Sequence, residues 1–344
     1  MGKRARILLI YTGGTIGMVK DYETGALKAF NFDQLLQKIP EINQIDCVID
    51  TVSFAAPIDS SNMNPSYWVE IASIIEEGYQ NFDGFVVLHG SDTMAYTASA
   101  LSFMLENLRK PVILTGSQLP IGDLRTDAKE NLITAIQIAT LTEKNEPLLQ
   151  EVALYFEYKL YRGNRTIKIN AEHFEAFTSP NYPPLIESGV HLKAQHSFLY
   201  RVKNSKELRV HKAMNTNVAV LKLFPGINKN LLEAVVNTPD LRVLILETYG
   251  AGNATTDQWF LNTLKSAKSK GLHIVNVTQC SGGGVVMGHY EASTTLKALQ
   301  LISGKDITTE SAVTKAMYLL GQEVDPALFK SIFETAIRGE MSQN

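Results

Sequence analysis

Five consecutive apolar residues, Ile7-Leu8-Leu9-Ile10-Tyr11, stop abruptly at Thr12-Gly13-Gly14-Thr15-Ile16-Gly17. An apolar run of that length suits a strand buried on both faces, which is the habit of a parallel sheet. A strand that ends in glycines and hydroxyl residues presents the hydroxyls at the carboxyl edge of the sheet, where open α/β folds hold their ligands. The glycines permit positive φ and let another backbone or a ligand come close. Thr15 is therefore a candidate nucleophile or substrate clamp, with helix capping as its plain structural alternative.

The same arrangement recurs. Strands are expected at Arg6–Tyr11, Cys47–Phe54, Gly84–His89, Pro111–Thr115 and Glu151–Tyr158, each rich in Val, Ile or Leu and suited to burial on both faces. Helices are expected between them. Pro65–Glu77 has Asn64 as N-cap and Pro65 at the first helical position, and Thr93–Leu108 and Thr126–Thr140 follow with apolar residues at three-to-four spacing. Ser179-Pro180-Asn181-Tyr182-Pro183-Pro184 suits neither a helix nor an interior strand, and the polar residues after it read as a connection. A second set follows, with strands at Asn217–Phe224, Leu241–Thr248 and His273–Gln279. Its helices are expected at Lys229–Asn237, Asp257–Ser269, Ser293–Ser303 and Glu310–Leu320, with a last one capped by Asp325 and Pro326. The fold class is thus α/β, with two α/β domains of mostly parallel sheet: a larger N-terminal domain over 1–190, a connection over 191–214 and a smaller C-terminal domain over 215–344.

Four turns lie beyond N-terminal strands: Thr12–Gly17, Asp59-Ser60-Ser61-Asn62, His89-Gly90-Ser91-Asp92-Thr93-Met94 and Thr115-Gly116-Ser117-Gln118. Each alone is ordinary turn and cap chemistry. In one parallel sheet all four share an edge and converge on one crevice, and together they offer many hydroxyls, a carboxylate and free backbone N–H groups suited to a small polar ligand. Lys168, after Tyr161-Arg162-Gly163-Asn164-Arg165-Thr166, is a candidate base if its surroundings lower its pKa, and otherwise a surface lysine.

Other chemistries fit less well. The glycines of the first turn are wrongly spaced for a dinucleotide fingerprint, and no phosphate-loop motif occurs. The glycine run after Gln279-Cys280 reads as a mobile turn rather than a phosphate cradle. His191 and His196 form no recognised metal spacing, so no metal is expected. His89 and Ser91 lie too close in sequence to define a Ser-His-Asp triad. A net charge of −3 with signs interspersed argues against a nucleic-acid partner. No apolar stretch could span a bilayer, and the basic start before a run of only five apolar residues makes a poor export signal. Two cysteines, Cys47 and Cys280, are expected as buried thiols, and the chain as cytoplasmic, without membrane association.

Thr12-Gly-Gly-Thr-Ile-Gly17 and His89-Gly-Ser-Asp-Thr-Met94 resemble the two signature motifs of the bacterial-type L-asparaginases. Thr115-Gly-Ser-Gln118, Tyr161-Arg-Gly-Asn-Arg-Thr166, Gly252-Asn-Ala254 and Asn276-Val-Thr-Gln-Cys280 extend the likeness over nearly the whole chain, which looks most similar to the cytoplasmic type I branch. The resemblance implies a two-domain α/β fold in dimers or tetramers that hydrolyses L-asparagine to L-aspartate and ammonia without a cofactor. It implies Thr15 as nucleophile, forming an acyl-enzyme, with Ser91, Asp92 and Lys168 as a second catalytic set. Asp92 would hold the substrate's α-amino group, and Asp59, Ser60 and Ser61 its α-carboxylate end. Ser117 joins the substrate-binding turns, backbone N–H groups near Thr15 and Ser91 serve as oxyanion donors, and Asn253 reaches the site across the dimer.

The chain also departs from the pattern. Ser91 stands where the family usually has Thr, which keeps the hydroxyl but drops the methyl that limits its rotamers. The family draws a Tyr from the loop after the nucleophile; Met18–Phe30 offers Tyr22, with Ala26 as another aligned position. Some type I relatives bind a second, allosteric asparagine, and the matching positions here are Ile167, Glu247 and Cys280. Glu247 in place of Arg reverses the charge that would meet a carboxylate, so activation through that site is expected to be weak or absent. Three rivals remain. One is a glutaminase. The second is the asparaginase-like subunit of a tRNA amidotransferase, disfavoured because only about ten residues precede the first motif. The third is a non-catalytic amino-acid sensor.

Overall fold

The apolar run extends at both ends into strand β1, Ala5–Gly13, whose residues from Ile7 onward are all buried. Around it an eight-stranded sheet assembles from β2 (Cys47–Ile58), β3 (Gly84–Leu88), β4 (Val112–Thr115), β5 (Val152–Phe156), β6 (Lys159–Arg162), β7 (Ile186–Ser188) and β8 (Leu192–Ala194). The order is β8-β7-β6-β5-β4-β3-β1-β2, with β2, β1, β3, β4 and β5 parallel and the last three antiparallel. The structure is a computed structural model that describes residues 4–20, 27–29, 39–202, 204–288 and 291–343. It divides into two compact units, Met1–Lys212 and Ala213–Asn344.

Both faces of the first sheet are covered because alternate residues of each central strand point to opposite sides. Ile7, Leu9 and Tyr11 pack with Val86, Leu88 and Ile113 against helix α3 (Ala128–Ala139) through Leu132, Ala135 and Ile136. Helix α1 (Pro65–Gly78) lies on the other face, where Gly78 comes close to Leu8 and Phe85. Asn64 caps α1 by accepting from the Ser66 N–H at 3.0 Å, as expected of that residue before Pro65. Helix α2 (Met94–Met104) is buried almost throughout.

Several boundaries differ from the sequence reading. The helix expected over Thr93–Leu108 stops at Met104, because Leu105–Glu106 turns into a short strand paired with Arg209–Val210. Glu157 and Tyr158 form a tight turn with φ of 43° and 68°, which ends the strand expected to run to Tyr158 and starts β6. Strand β2 is not buried on both faces. It is the outer edge of the sheet, and Cys47 and Phe54 are its only buried positions. Leu192–Ala194, read as connection from its polar neighbours, adds the sheet's last strand.

A buried ion pair explains how that irregular stretch is held. Arg162 Nε donates to Glu151 Oε2 at 2.6 Å, and both side chains are buried. Glu151 also accepts from the Tyr200 N–H at 2.7 Å, while Arg162 donates to the Phe198 carbonyl at 2.9 Å and lies over the Tyr182 ring. Hydrogen bonds to charged groups are the stronger kind, so the pair stitches residues 182–200 to the sheet without needing a regular element.

In the second unit β9 (Val218–Lys222), β10 (Val243–Thr248), β11 (His273–Thr278) and β12 (Ile302–Ser303) form an all-parallel sheet in that order. Leu244, Leu246 and Ile274 pack with helices α4 (Lys229–Val236) and α5 (Gln258–Ser269) through Leu232, Phe260 and Leu264. The helix expected over Ser293–Ser303 is α6, Glu291–Ala298; its last residues instead form β12. Helices α7 (Thr309–Gly321) and α8 (Pro326–Phe333) complete the unit, α8 capped by Asp325. Cys280 is exposed rather than buried, since it lies past the end of β11 in an open turn, whereas Cys47 is buried as expected. Among the described residues no helix is long and apolar enough to cross a membrane.

Lys315 of α7 is wholly buried, yet fully bonded. It donates to the Phe333 and Thr335 carbonyls at 2.7 Å each and to the buried carboxylate of Glu340, which itself accepts from the Ile337 and Arg338 N–H groups. Burial lowers the Lys315 pKa, and Glu340 opposes that shift. Removing one member of such a pair strands the other charge in the interior. Glu340→Ala should therefore cost about 3–5 kcal/mol, read as a lower urea midpoint for the C-terminal unit, and the double variant Lys315→Met/Glu340→Leu should recover much of that loss.

Candidate active site

The parallel part of the first sheet has the order β2-β1-β3-β4-β5, so the chain's direction of travel reverses between β1 and β3. Such a switch point is where doubly wound sheets open a crevice for their ligands. The turns after β1 and β3 meet at this point. Gly14 has φ +88°, and a Cβ added to it would stand 2.5 Å from both the nitrogen and the Cα of Gly90. Gly90 in turn leaves room for the Ser60 hydroxyl, which a Cβ there would meet at 2.5 Å. Side chains at either glycine would push the turns apart.

Within this edge the two threonines of the first motif have different surroundings. Thr12 is buried, with its hydroxyl donating to the Leu88 carbonyl at 3.0 Å, so it ties β1 to β3. Thr15 opens the short helical turn Thr15–Gly17 and is half-buried.

Of the other expected residues, those described in the first unit lie along the same edge. Lys168, on the short strand Ile167–Lys168, places its Nζ 2.8 Å from Ser91 Oγ and 2.7 Å from Asp92 Oδ1. The Ser91 hydroxyl donates to Gln118 Oε1 at 3.2 Å. Ser60 is buried, and its carbonyl accepts from the Thr93 hydroxyl at 2.7 Å, which joins the second turn to the third. The exposed Asp59 accepts from both the N–H and the hydroxyl of Ser61, and those bonds hold its carboxyl below the usual range. Ser117 is buried and donates to the Leu119 carbonyl at 2.6 Å, so its hydroxyl shapes the turn from within. Asn253 belongs to the second unit, where its backbone bridges Tyr249 and its Oδ1 is enclosed without a hydrogen-bond partner among the described residues. Tyr22 lies outside the described residues. Of the positions weighed for a second site, Glu247 accepts from the Thr309 hydroxyl at 2.6 Å, and Cys280 is exposed. Among the described residues no group of three or more His, Cys, Asp or Glu side chains could hold a metal ion.

Two sets of buried polar side chains, of which only His89 is among the residues weighed from the sequence, hold these turns. The first is a relay beneath Gly90. Trp68 Nε1 donates to Thr97 Oγ1 at 3.0 Å, Thr97 lies 2.9 Å from His89 Nε2, and His89 Nδ1 lies 2.6 Å from the Gly90 carbonyl. A carbonyl only accepts, so the proton sits on Nδ1, and the Thr97 hydroxyl donates to Nε2. His89 is therefore no partner for Ser91; it fixes the backbone that carries it. The second set is Asp127 with Asn131. The Asp127 carboxylate accepts from the Gln118 and Leu119 N–H groups at 2.9 and 3.1 Å, and Asn131 donates to the Gly116 carbonyl at 3.0 Å. Burial raises the Asp127 pKa against those bonds. The available signal was a polar residue on an apolar helix face: Asn131 beside Leu132, Ala135 and Ile136, and Thr97 within α2.

Residues 6–200 match the family model described as asparaginase, N-terminal, and residues 217–333 match the glutaminase/asparaginase C-terminal domain. L-asparaginase 1 of Escherichia coli K12 is 41% identical over 341 residues, 99% of each chain. The 60 kDa lysophospholipase of Mus musculus is 38% identical over 99% of this chain and 63% of its own length. The crystal structure of L-asparaginase I from Vibrio cholerae superimposes with a TM-score of 0.90 at 40% identity, covering 99% of this chain and all of that one.

Burial pushes the His89 pKa from 6.5 down to about 4. The unfolded chain then binds the proton that the folded one refuses, so the contribution is complete above about pH 6.5 and is lost as the pH falls toward 4. That loss is on the order of 3 kcal/mol. Urea midpoints between pH 7 and pH 4.5 should fall more steeply for the unaltered protein than for His89→Gln, and parallel slopes would contradict the assignment.

Proposed function

The chain belongs to the asparaginase family, and from that premise we propose that it hydrolyses L-asparagine to L-aspartate and ammonia through an acyl-enzyme on Thr15. The observation that carries this reading is Lys168 Nζ within 2.8 Å of Ser91 Oγ and 2.7 Å of Asp92 Oδ1, on a turn whose Gly90 packs against Gly14 beside Thr15.

Asp92 receives the substrate's α-amino group, and the Ser60 and Ser61 end of the second turn receives its α-carboxylate. The side-chain amide then lies between Thr15 and Ser91. Thr15 Oγ attacks the amide carbon, and its proton passes through the Ser91 hydroxyl and Lys168 to the departing ammonia. Backbone N–H groups of the first and third turns face the oxyanion. Water then cleaves the Thr15 ester, so that one difficult amide hydrolysis becomes two lower barriers. Thr12 is unsuited to attack, because its hydroxyl is buried and already donates to Leu88. Ser91 retains the hydroxyl this scheme needs. Tyr22 is the aromatic hydroxyl assigned to the loop after the nucleophile.

Asn253, by the family resemblance, serves the site of a neighbouring subunit. A homodimer, or a tetramer of two dimers, is the proposed state, in the cytoplasm and without a cofactor.

Thr15→Ala should lower ammonia release from L-asparagine at least about a thousandfold, the scale on which loss of a nucleophile acts; full activity in that variant would sink the mechanism. Comparing L-asparagine with L-glutamine over a concentration series reads the preference between two substrates that differ by one methylene. The asparagine curve is expected to be hyperbolic, since Glu247 presents a carboxylate toward Thr309 where a second asparagine would need a cation. A sigmoidal curve abolished by Glu247→Ala would overturn that point.

A further inference from the structure

A cavity of about 540 Å³ is lined by Gln118, Leu119, Arg125, Glu172, His173 and Phe174, and of these Gln118 is bonded to Ser91. That volume is within the range of roughly 300–1,000 Å³ usual for small-molecule sites. Gln118 is the shared wall. Its Oε1 accepts the Ser91 hydroxyl, and its Nε2 donates to the His173 carbonyl at 3.0 Å. One side-chain amide therefore separates the reacting end of the proposed site from this space.

The remaining walls are preformed. Asp127 holds the Gln118 and Leu119 N–H groups, and the Leu119 carbonyl accepts from both Ser117 and Thr126. Opposite, Asn170 Oδ1 accepts from the Glu172 and His173 N–H groups at 2.9 and 3.0 Å. Pre-ordered walls spare a ligand the cost of ordering them. Arg125 is exposed on the rim and makes no ion pair or hydrogen bond through its guanidinium among the described residues; Glu172 shares the rim.

We infer that this cavity receives a substituent on the amide nitrogen, and that the enzyme hydrolyses N-substituted L-asparagines whose substituent is short and carries an anion that Arg125 meets. The inference rests on the proposed function, because the direction of the substrate follows from it. With the α-amino group on Asp92, the amide end faces Ser91, and Gln118 stands beyond it. The chemistry is that of asparagine itself: Thr15 Oγ bonds to the amide carbon, the C–N bond breaks, and the substituted amine departs with the proton from Thr15. Water then releases aspartate. Gln118 swings from Ser91 to admit the substituent.

β-L-Aspartylglycine carries such a group, its neutral glycinamide analogue removes the charge, and L-asparagine is the reference. All three yield free aspartate, which one assay reads. The expected result is turnover of all three, with kcat/KM for aspartylglycine about fivefold above that of the glycinamide analogue, the scale of an exposed ion pair. Arg125→Glu should reverse that order while leaving L-asparagine unchanged, and Gln118→Ala should raise the ratio of aspartylglycine to asparagine turnover. Turnover of L-asparagine with neither substituted amide consumed would overturn the inference alone, as would an unchanged order in Arg125→Glu. Aspartate released from none of the three would overturn the proposed function as well.

Discussion

The close approach of Gly14 to Gly90 is the constraint on which the rest of the site depends. It brings together two turns that end adjacent parallel strands at the point where the sheet's winding reverses, and there is no space at either position for a side chain. Thr15 follows one glycine and Ser91 the other, so the two hydroxyls owe their neighbourhood to a backbone contact. This is stiffer than an arrangement built on flexible side chains, because each turn is anchored to a strand with buried faces.

A contact of that kind needs support from below, and the polar interior supplies it. The His89 relay restrains the Gly90 carbonyl, while Asp127 and Asn131 restrain the Thr115–Gln118 turn. Both sets bury groups that would be costly if unpaired, and both are satisfied by bonds among their own side chains and to backbone atoms of the turns they hold. The residues that touch the proposed substrate thus stand on a second layer that is neutral at His89 and hydrogen-bonded throughout Asp127. Gln118 has a double role, as partner of Ser91 and as the wall of the neighbouring cavity.

Most strands and helices could be read from the residues, since continuous apolar runs and capped amphipathic segments are local signals. Pro65 after Asn64 and Pro326 after Asp325 marked helix starts that the structure reproduces. The misreadings have a common cause. Leu105–Glu106 leaves its helix to pair with residues more than a hundred positions away, and Leu192–Ala194 becomes a strand because β7 offers it an edge. Ile302–Ser303 likewise leaves a helical pattern to join β11. Pairing partners outside the segment itself decide such stretches, near in the chain for Leu192–Ala194 and far for Leu105–Glu106, and local propensity does not record them.

By itself the sequence determined the α/β class, the four hydroxyl-bearing turns and the family, because runs, turn chemistry and motifs are properties of neighbouring residues. Only the tertiary structure decided which hydroxyls are spent. Thr12 and Ser117 donate inward to carbonyls, whereas Ser91 faces Lys168 across 77 positions of chain. It also decided that His89 holds backbone, that Arg162 and Glu151 bind an irregular stretch to the sheet, and that Arg125 stands over a cavity beside Gln118. Each of these depends on burial and on distance through space, and both are set when the sheet closes its faces rather than by the order of residues along the chain.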